Sequence, residues 1–406
     1  MFKEYITEQQ NTHMTHIEDK VLYGGVNGTR QAINALRELR DMLAGKTSSK
    51  LSVKWDGAPA IFAGTDPEDG NFFVAKKGIF AKTGAKVYKS NADIDAELSG
   101  DLADKMKLAL QYLPELGIKG VIQGDLLYTK EDLKREKIDG KQYVTFHPNT
   151  IIYAVPMSQS KTIEDAKMGI VWHTSYKGDK FENMKASYGV DISKFKKTKN
   201  VWSQDAMLTN AGEATMNDKE TKEVTKYLSN AGKLFNKISG TTLRELEANE
   251  ELAKLIEQYN NTFVREGQLL PPSRRHVIGL LKWLNNKFQK EKDKRSTDKG
   301  KKVQQDKLDA LMKFFSPKNR TSLVNMFDLQ KNLVLAKLKL INRLNSIQNI
   351  DAFVQTKQGY KVKTGAEGFV AIDKLGGDAV KLVDRLEFSY NNFSPDILKG
   401  WEKPTR

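Results

Sequence analysis

From Ser203 to Ile350 the apolar residues recur at helical spacing, whereas on either side of that stretch they fall into short strand-like runs. A chain patterned this way has to close its strands around a long helical interruption, so it reads as an α+β protein. Three apolar stripes carry the helical reading. They are Val224, Tyr227, Leu228, Ala231, Leu234 and Phe235; Val277, Leu280, Leu281, Leu284 and Phe288; and Leu323, Phe327, Val334, Leu338, Ile341 and Leu344. Before the interruption, strands are expected at Leu51 to Trp55, Ala60 to Gly64 and Phe72 to Lys76, the last two separated by the turn-rich TDPEDG. A helix is expected over Asp101 to Leu113, then strands at Gly120 to Tyr128, Tyr143 to Phe146, Thr150 to Val155 and Gly169 to His173. Strands return in EGFVAID (Glu367 to Asp373) and AVKLVDR (Ala379 to Arg385). A further amphipathic helix opens the chain, with Thr29 as its expected cap, Ile33, Leu36, Leu39 and Leu43 on one face, and Gly45 to end it. Four segments result: an N-terminal helical segment at 1–48, a body at 49–202, a basic helical insertion at 203–350 and the closing part of the body at 351–406.

Charge narrows the partners. Lys and Arg number 66 against 51 Asp and Glu, a net charge of +15 with a pI near 9.4, which favours encounter with polyanions such as nucleotides and nucleic acid. The densest run, Lys287 to Lys302, holds eight basic residues and three acidic ones and follows an apolar helix carrying Arg274, Arg275 and Trp283. It reads equally as a phosphate-backbone clamp, with Arg274, Arg275, Lys287, Lys290, Lys294 and Arg295 in contact, and as a charged linker with nothing to bury. The chain has no cysteine, which excludes a disulfide framework, thiolate zinc sites and a cysteine nucleophile. It opens without the apolar run of a secretory signal, and no segment approaches the length of a membrane-spanning helix, so a cytoplasmic protein without a membrane partner is expected.

The chemistry concentrates in KWDG, Lys54 to Gly57, where a strand runs into a turn. A lysine amine has an ordinary pKa of about 10.4 and attacks phosphorus only when burial and neighbouring positive charge release its lone pair. Asp56, two residues on, shares the strand face of Lys54 and is suited to orient the amine or bind a ribose, while Gly57 permits a tight turn and close backbone approach. Downstream, in order, come AKKGIFAK (Ala75 to Lys82), GVIQGDLLY (Gly120 to Tyr128), NTIIYAV (Asn149 to Val155), EGFV (Glu367 to Val370) and VKLVDR (Val380 to Arg385). This ordered set resembles the motifs of the covalent nucleotidyltransferases: ATP-dependent DNA ligases, RNA ligases and mRNA capping enzymes. RNA ligases are the most similar among them, and the chain has the character of a bacteriophage protein, which would place it in the host cytoplasm.

The resemblance implies two antiparallel sheets around an ATP cleft, interrupted by the helical insertion. It implies that Lys54 attacks the α-phosphate of ATP and carries AMP, which passes to a 5′-phosphate before a 3′-hydroxyl displaces it. Lys381 is then the α-phosphate contact, Lys76 and Lys77 lie near the sugar or phosphates, and Asp125 and Glu367 hold Mg²⁺ or a ribose hydroxyl. Tyr153 stacks on the base, with Phe146 as the alternative, and RNA is favoured over DNA as acceptor. The chain departs from the pattern in three places: Ala58 and Pro59 follow Gly57 where an arginine is usual, Asp125 stands for a glutamate, and Val383 stands where a second lysine is common, with Arg385 or Lys399 as substitutes. Only about twenty residues follow the last motif, so no C-terminal OB domain is expected. The alternatives are a nucleotidyltransferase with a cap-like or protein acceptor, and a non-catalytic nucleic-acid-binding protein that keeps the fold.

Two other patterns carry less. AGKTSS (Ala44 to Ser49) has a phosphate-loop look, but Arg40 stands where that loop requires glycine and a helix precedes it instead of a strand. His13 and His16 have metal-ligand spacing without further clustered ligands, and His147 and His173 read as core or edge histidines near the body.

Overall fold

A computed structural model describes residues 16–46, 50–81, 84–206, 215–346, 350–359, 361–365, 367–372 and 379–401. His13, Thr47 to Ser49 with the segment boundary there, and Asp373 lie outside the described residues. In chain order, α1 (Lys20–Tyr23) and α2 (Gly25–Leu43) lead to β1 (Lys50–Lys54), β2 (Ala60–Thr65), β3 (Phe72–Ala75) and β4 (Val87–Tyr88). Then come α3 (Asn91–Glu97), α4 (Gly100–Tyr112), β5 (Val121–Thr129), β6 (Lys134–Ile138), β7 (Lys141–Phe146), β8 (Ile152–Pro156), α5 (Lys161–Asp165), β9 (Met168–Lys177), β10 (Lys185–Tyr188) and β11 (Val201–Asp205). The helical block is α6 (Asp218–Phe235), α7 (Gly240–Glu247), α8 (Glu250–Arg265), α9 (Ser273–Asp293), α10 (Asp298–Met312) and α11 (Pro317–Asn345). The chain closes through β12 (Asp351–Gln355), β13 (Lys361–Thr364), β14 (Gly368–Ile372), β15 (Ala379–Leu382) and α12 (Arg385–Phe393).

The fold is α+β, as the patterning predicts, but the described strands form three sheets where two were expected. The largest runs β10-β9-β5-β2-β3-β4 with β11 added parallel to β9; the second runs β13-β12-β8-β7-β6; the third is β1-β14-β15. The third sheet exists because the chain leaves the strand layer after Lys54. The turn that follows is tied to β5 by Ala58 N–H donating to the Leu126 carbonyl at 2.9 Å, so β1 and β2 lie in different sheets. β1 pairs instead with β14, from Lys50 opposite Ile372 to Lys54 opposite Gly368.

Several expected boundaries move for local reasons. The helical block starts at Asp218, since residues 201–205 form β11. The strand expected to reach Arg385 stops at Leu382: the Asp384 carboxylate accepts from the backbone N–H of Leu386 and Glu387 at 3.0 and 3.3 Å and starts α12. Thr29 is not a cap but an interior residue of α2, its hydroxyl donating to the Gly25 carbonyl at 2.7 Å, while Gly45 does close that helix at φ +73°. The linker reading of Lys287 to Lys302 gives way to a helical hairpin, in which Thr297 caps α10.

The helical block and the opening helix share one apolar core. Leu36 and Leu39 of α2, Leu228 of α6 and Leu333 and Leu340 of α11 pack in the same cluster as Leu51, Phe369 and Leu382 from the three-stranded sheet. Alternation along the strands makes this possible: Leu51, Phe369 and Leu382 face the helices, which leaves Ser52, Lys54 and Lys381 on the other face. A second core lies between α4 and the large sheet, around Met106, Ile61, Ile122 and Trp172. A third holds Tyr128, Phe146, Tyr153 and Val171.

A buried charge cluster sits inside the junction of helices and sheet. Lys337 of α11 and Glu18 are 1% and 5% exposed, and the ammonium meets both carboxylate oxygens at 2.8 Å. Arg385 meets Asp19 at 2.9 Å and Glu18 at 3.7 Å. Burial opposes ionisation of Glu18, but Lys337, His16 and Arg385 outweigh it and bring the carboxyl down to about 2. For Asp19 burial wins over Arg385, with Glu18 and Glu257 adding, and the carboxyl is pushed up to about 7. Removing one partner of the first pair strands a buried charge. Lys337→Ala is therefore expected to cost about 3–5 kcal/mol in urea unfolding, and Glu18→Leu/Lys337→Met to recover most of it. A raised folded-state pKa means that the Asp19 contribution is complete below its ordinary value of 3.8 and fades as pH rises through about 7. Asp19→Asn should flatten the fall in unfolding free energy across that window, read as urea midpoints against pH.

Candidate functional site

The register fixes the site. Lys54 stands at the end of β1 opposite Gly368, Lys381 stands opposite Val370, and in antiparallel pairing opposed residues share a face, so both ammonium groups leave the sheet on the same side. Glycine is needed at 368 because a Cβ there would meet the Leu382 carbonyl oxygen at 2.5 Å. The Lys54 ammonium pairs with the carboxylate of Glu367, the residue just before β14, their side chains 27% and 9% exposed. Burial is the main reason that the Glu367 carboxyl lies above the usual range; Lys54 opposes the rise and Asp56 adds to it. The Lys381 ammonium lies 4.5 Å from the centre of the Phe388 ring, and burial followed by the charge of Lys54 lowers its pKa.

Asp56 is a buried anchor. Its carboxylate accepts from Asn149 Nδ2 at 2.6 Å and from the backbone N–H of Thr150 and Ile151 at 2.8 and 3.0 Å, while its own N–H donates to the Tyr153 hydroxyl at 2.6 Å. Gly57 is pressed against β5, where a Cβ would come within 2.6 Å of the Asp125 Cβ. The turn is thus held on three sides. The C-terminal segment locks the loop that holds Asp56: Gly400 N–H donates to the Asn149 carbonyl at 2.6 Å and Lys399 Nζ to the Thr150 hydroxyl at 2.7 Å.

Above this turn is a shallow, open cleft lined by Asp56, Thr150, Ile151, Ile341, Glu367, Asp384, Glu387, Phe388, Asn391 and Asn392. Helix α12 supplies its far wall, and there burial, then Asp384, raises the Glu387 carboxyl.

Lys54, Asp56, Gly57, Glu367, Lys381 and Asp125 therefore converge, although they span most of the chain. Asp125 sits on β5 opposite Ala60, 3.7 Å from His173 Nε2. Tyr153 converges too, but as a strut. It is 3% exposed, its hydroxyl is taken by Asp56, and Trp55 and Phe146 pack on it at ring-centre distances of 4.9 and 5.5 Å. Phe146 is 1% exposed, so the aromatic ring that lines the cleft is Phe388. Arg385 is engaged in the buried charge cluster and Val383 is fully buried. His16, bridged through its backbone to Lys381, is half-buried and held down to about 3, first by burial, and His147 Nε2 donates to the Thr150 carbonyl at 3.2 Å.

Lys76 and Lys77 follow β3, half-buried and exposed respectively. Arg274, Arg275, Lys290, Lys294 and Arg295 are exposed on or just after α9, and Lys287 lies 5.4 Å over the Trp283 ring. Among the described residues no side-chain hydrogen bond or ion pair joins any of these cations to Lys54, Asp56, Glu367 or Lys381. The sequence reading missed Asn149, Thr150, Phe388 and the C-terminal lock. One signal was present: Asp384 to Glu387 has the D-x-x-E spacing of a helix start, which would have turned the last strand into the α12 wall.

Fold and site together define an α+β protein in which a helical layer braces a small sheet bearing two lysines over a carboxylate-lined cleft. The chain belongs to the DUF6267 family, a family of unknown function, whose model matches residues 11–396. No curated protein and no solved structure matches it. No helix among the described residues is long and apolar enough to cross a membrane.

Replacing the Asp56 carboxylate would leave three donors facing each other without an acceptor. Asp56→Ala is expected to lower stability by about 2–3 kcal/mol, read as a shift of the urea midpoint at constant slope.

Proposed function

We propose that the chain is a covalent nucleotidyltransferase of the ligase type, with Lys54 as nucleophile toward ATP and a polynucleotide end, RNA before DNA, as acceptor. The observation that carries this reading is the meeting of the Lys54 ammonium with the Glu367 carboxylate, 313 positions away, on the sheet face that also bears Lys381. An amine can attack only after losing a proton, and Glu367, held above the usual carboxylate range by burial, is the group in contact to take it. The nitrogen lone pair then forms the P–N bond to the α-phosphate, and the P–O bond to pyrophosphate breaks, its electron pair leaving with pyrophosphate. Lys381, on the same face, balances charge on the α-phosphate. Asp56 holds the turn and so the angle at which Lys54 leaves the strand. Phe388 and the amides of Asn391 and Asn392 are suited to the base and sugar.

The fit to a magnesium ion is partial. Among the described residues no group of three or more His, Asp or Glu is placed to hold a metal ion; Asp125, read from the resemblance as a ligand, has His173 Nε2 at 3.7 Å. Mg²⁺ bound through one or two carboxylates and the nucleotide phosphates would neutralise charge on the triphosphate.

With labelled ATP and Mg²⁺, an acid-labile protein adduct is expected in the native chain and none in Lys54→Ala. Glu367→Gln should slow adduct formation by about 10²-fold or more and shift its pH dependence, as loss of a proton acceptor requires. An adduct with GTP alone would favour a capping-like reaction, and no adduct with either would sink nucleotidyl transfer.

A further inference from the structure

The far end of the α9–α10 hairpin stands clear of the protein core. Phe288 and Leu308, 5% and 6% exposed, are the last buried residues on its two arms, and none of residues 289–307 between them is buried. Eight of those residues are Lys or Arg and four are Asp or Glu. The tip nevertheless remains helical up to Asp293 and again from Asp298. Polar contacts replace a core there. Lys292 Nζ donates to Gln305 Oε1 across the two helices at 2.8 Å, Lys294 pairs with Glu291 at 2.8 Å, and the Thr297 hydroxyl accepts from Gly300 N–H at 3.1 Å. A solvated hairpin tip that fully buries no residue is costly to order and gains little for the fold. What it achieves is a fixed display of positive charge.

We propose that this spike is a docking arm for the phosphate backbone of a double-stranded nucleic acid, held by charge and blind to sequence. The proposal deepens the reading above and rests on it for the choice of a polynucleotide over other polyanions. The chemistry of the tip selects the partner. Residues 289–307 contain no aromatic side chain, so they lack the stacking platform by which single strands are held. Val303, 45% exposed, is their one large apolar residue, too little for a membrane-surface helix or for the apolar anchor of a protein interface. Closely spaced phosphates on a stiff duplex suit cations held on two helical arms and the turn between them, and release of condensed counterions supplies the driving force.

The test uses the full chain and the variant Lys290→Gln/Lys294→Gln/Lys299→Gln/Lys302→Gln, with circular dichroism to verify that helix content is kept. Binding of a short labelled duplex, and of its separate strands, is followed by fluorescence anisotropy over a series of salt concentrations. The native chain is expected to prefer the duplex, and the variant to lose roughly 3–4 units of the log-affinity against log-salt slope, from about 0.9 per phosphate contact. Equal affinity of the two proteins, an unchanged slope, equal preference for the single strands, or no duplex binding by the native chain would each overturn the proposal. The lysyl-nucleotide adduct is measured on the same two proteins and is expected to be equal. A missing adduct with the arm effect intact refutes the catalytic reading alone; an adduct with no arm effect refutes the arm alone.

Discussion

The site depends on the pairing of β1 with β14. Five register pairs join strands that lie more than three hundred positions apart, and they bring the Lys54 strand against the strand that Glu367 precedes. Loop-closure entropy grows only logarithmically with length, so separation in sequence adds little once the ends meet; the difficulty is holding a three-stranded sheet in place. Such a sheet is marginal on its own. The helical layer solves this by covering Leu51, Phe369 and Leu382, so the block that interrupts the body in sequence also supports its smallest sheet in space.

The same junction contains the most expensive electrostatics in the molecule. Glu18, Asp19, Lys337 and Arg385 are withdrawn from water beside Lys381, to which His16 is joined by a backbone bridge. Apolar residues would hold these elements together at least as well. Buried charge adds directional bonding: the fork of Arg385 meets Asp19 and Asn261, the ammonium of Lys337 meets Glu18, and the Gln330 amide holds the Glu18 carbonyl. Those contacts fix α11, α12 and the opening turn against one another. Helix α12 in turn lines the cleft through Glu387 and Phe388, so a shift in the cluster reaches the site in one step. Lys381 feels it directly, since Arg385 and Lys337 both contribute, after burial and Lys54, to lowering its pKa.

Local signals made much of the fold legible and left the tertiary parts hidden. Short apolar runs such as residues 60–65 and 121–129, buried on both faces, and the long apolar stripes of α6, α9 and α11 can be read from the pattern of apolar residues alone. β6, with the sequence KREKI, shows no such pattern, because it is an edge strand whose side chains largely meet water. At the site, Lys54, Asp56 and Gly57 form a local pattern, Glu367 immediately precedes a short apolar strand and Lys381 sits in one, so they could be singled out. Asn149, Thr150 and Gly400 could not. They act through backbone and amide contacts to residues far along the chain, and nothing about their own neighbourhood announces it. Tyr153 illustrates the converse: its place was legible, but its role as a strut comes from the Asp56 N–H and the Trp55 ring, which only packing brings to it.

The distribution of charge separates two tasks. The chain carries +15 overall, yet four of the residues lining the cleft are carboxylates, two of them with pKa values raised by burial. A cleft evolved simply to attract a polyanion would be lined the other way. Under the proposed reading these carboxylates would serve as proton acceptors, with the pair of Lys54 and Glu367 as the contact where that would happen. Part of the positive excess sits instead on the exposed helix α9, with six Lys or Arg against two acidic residues, away from the carboxylates of the cleft. In the proposed reading, attraction at the surface and proton transfer in the cleft would place opposite demands on local charge, and the helical block would keep the two apart.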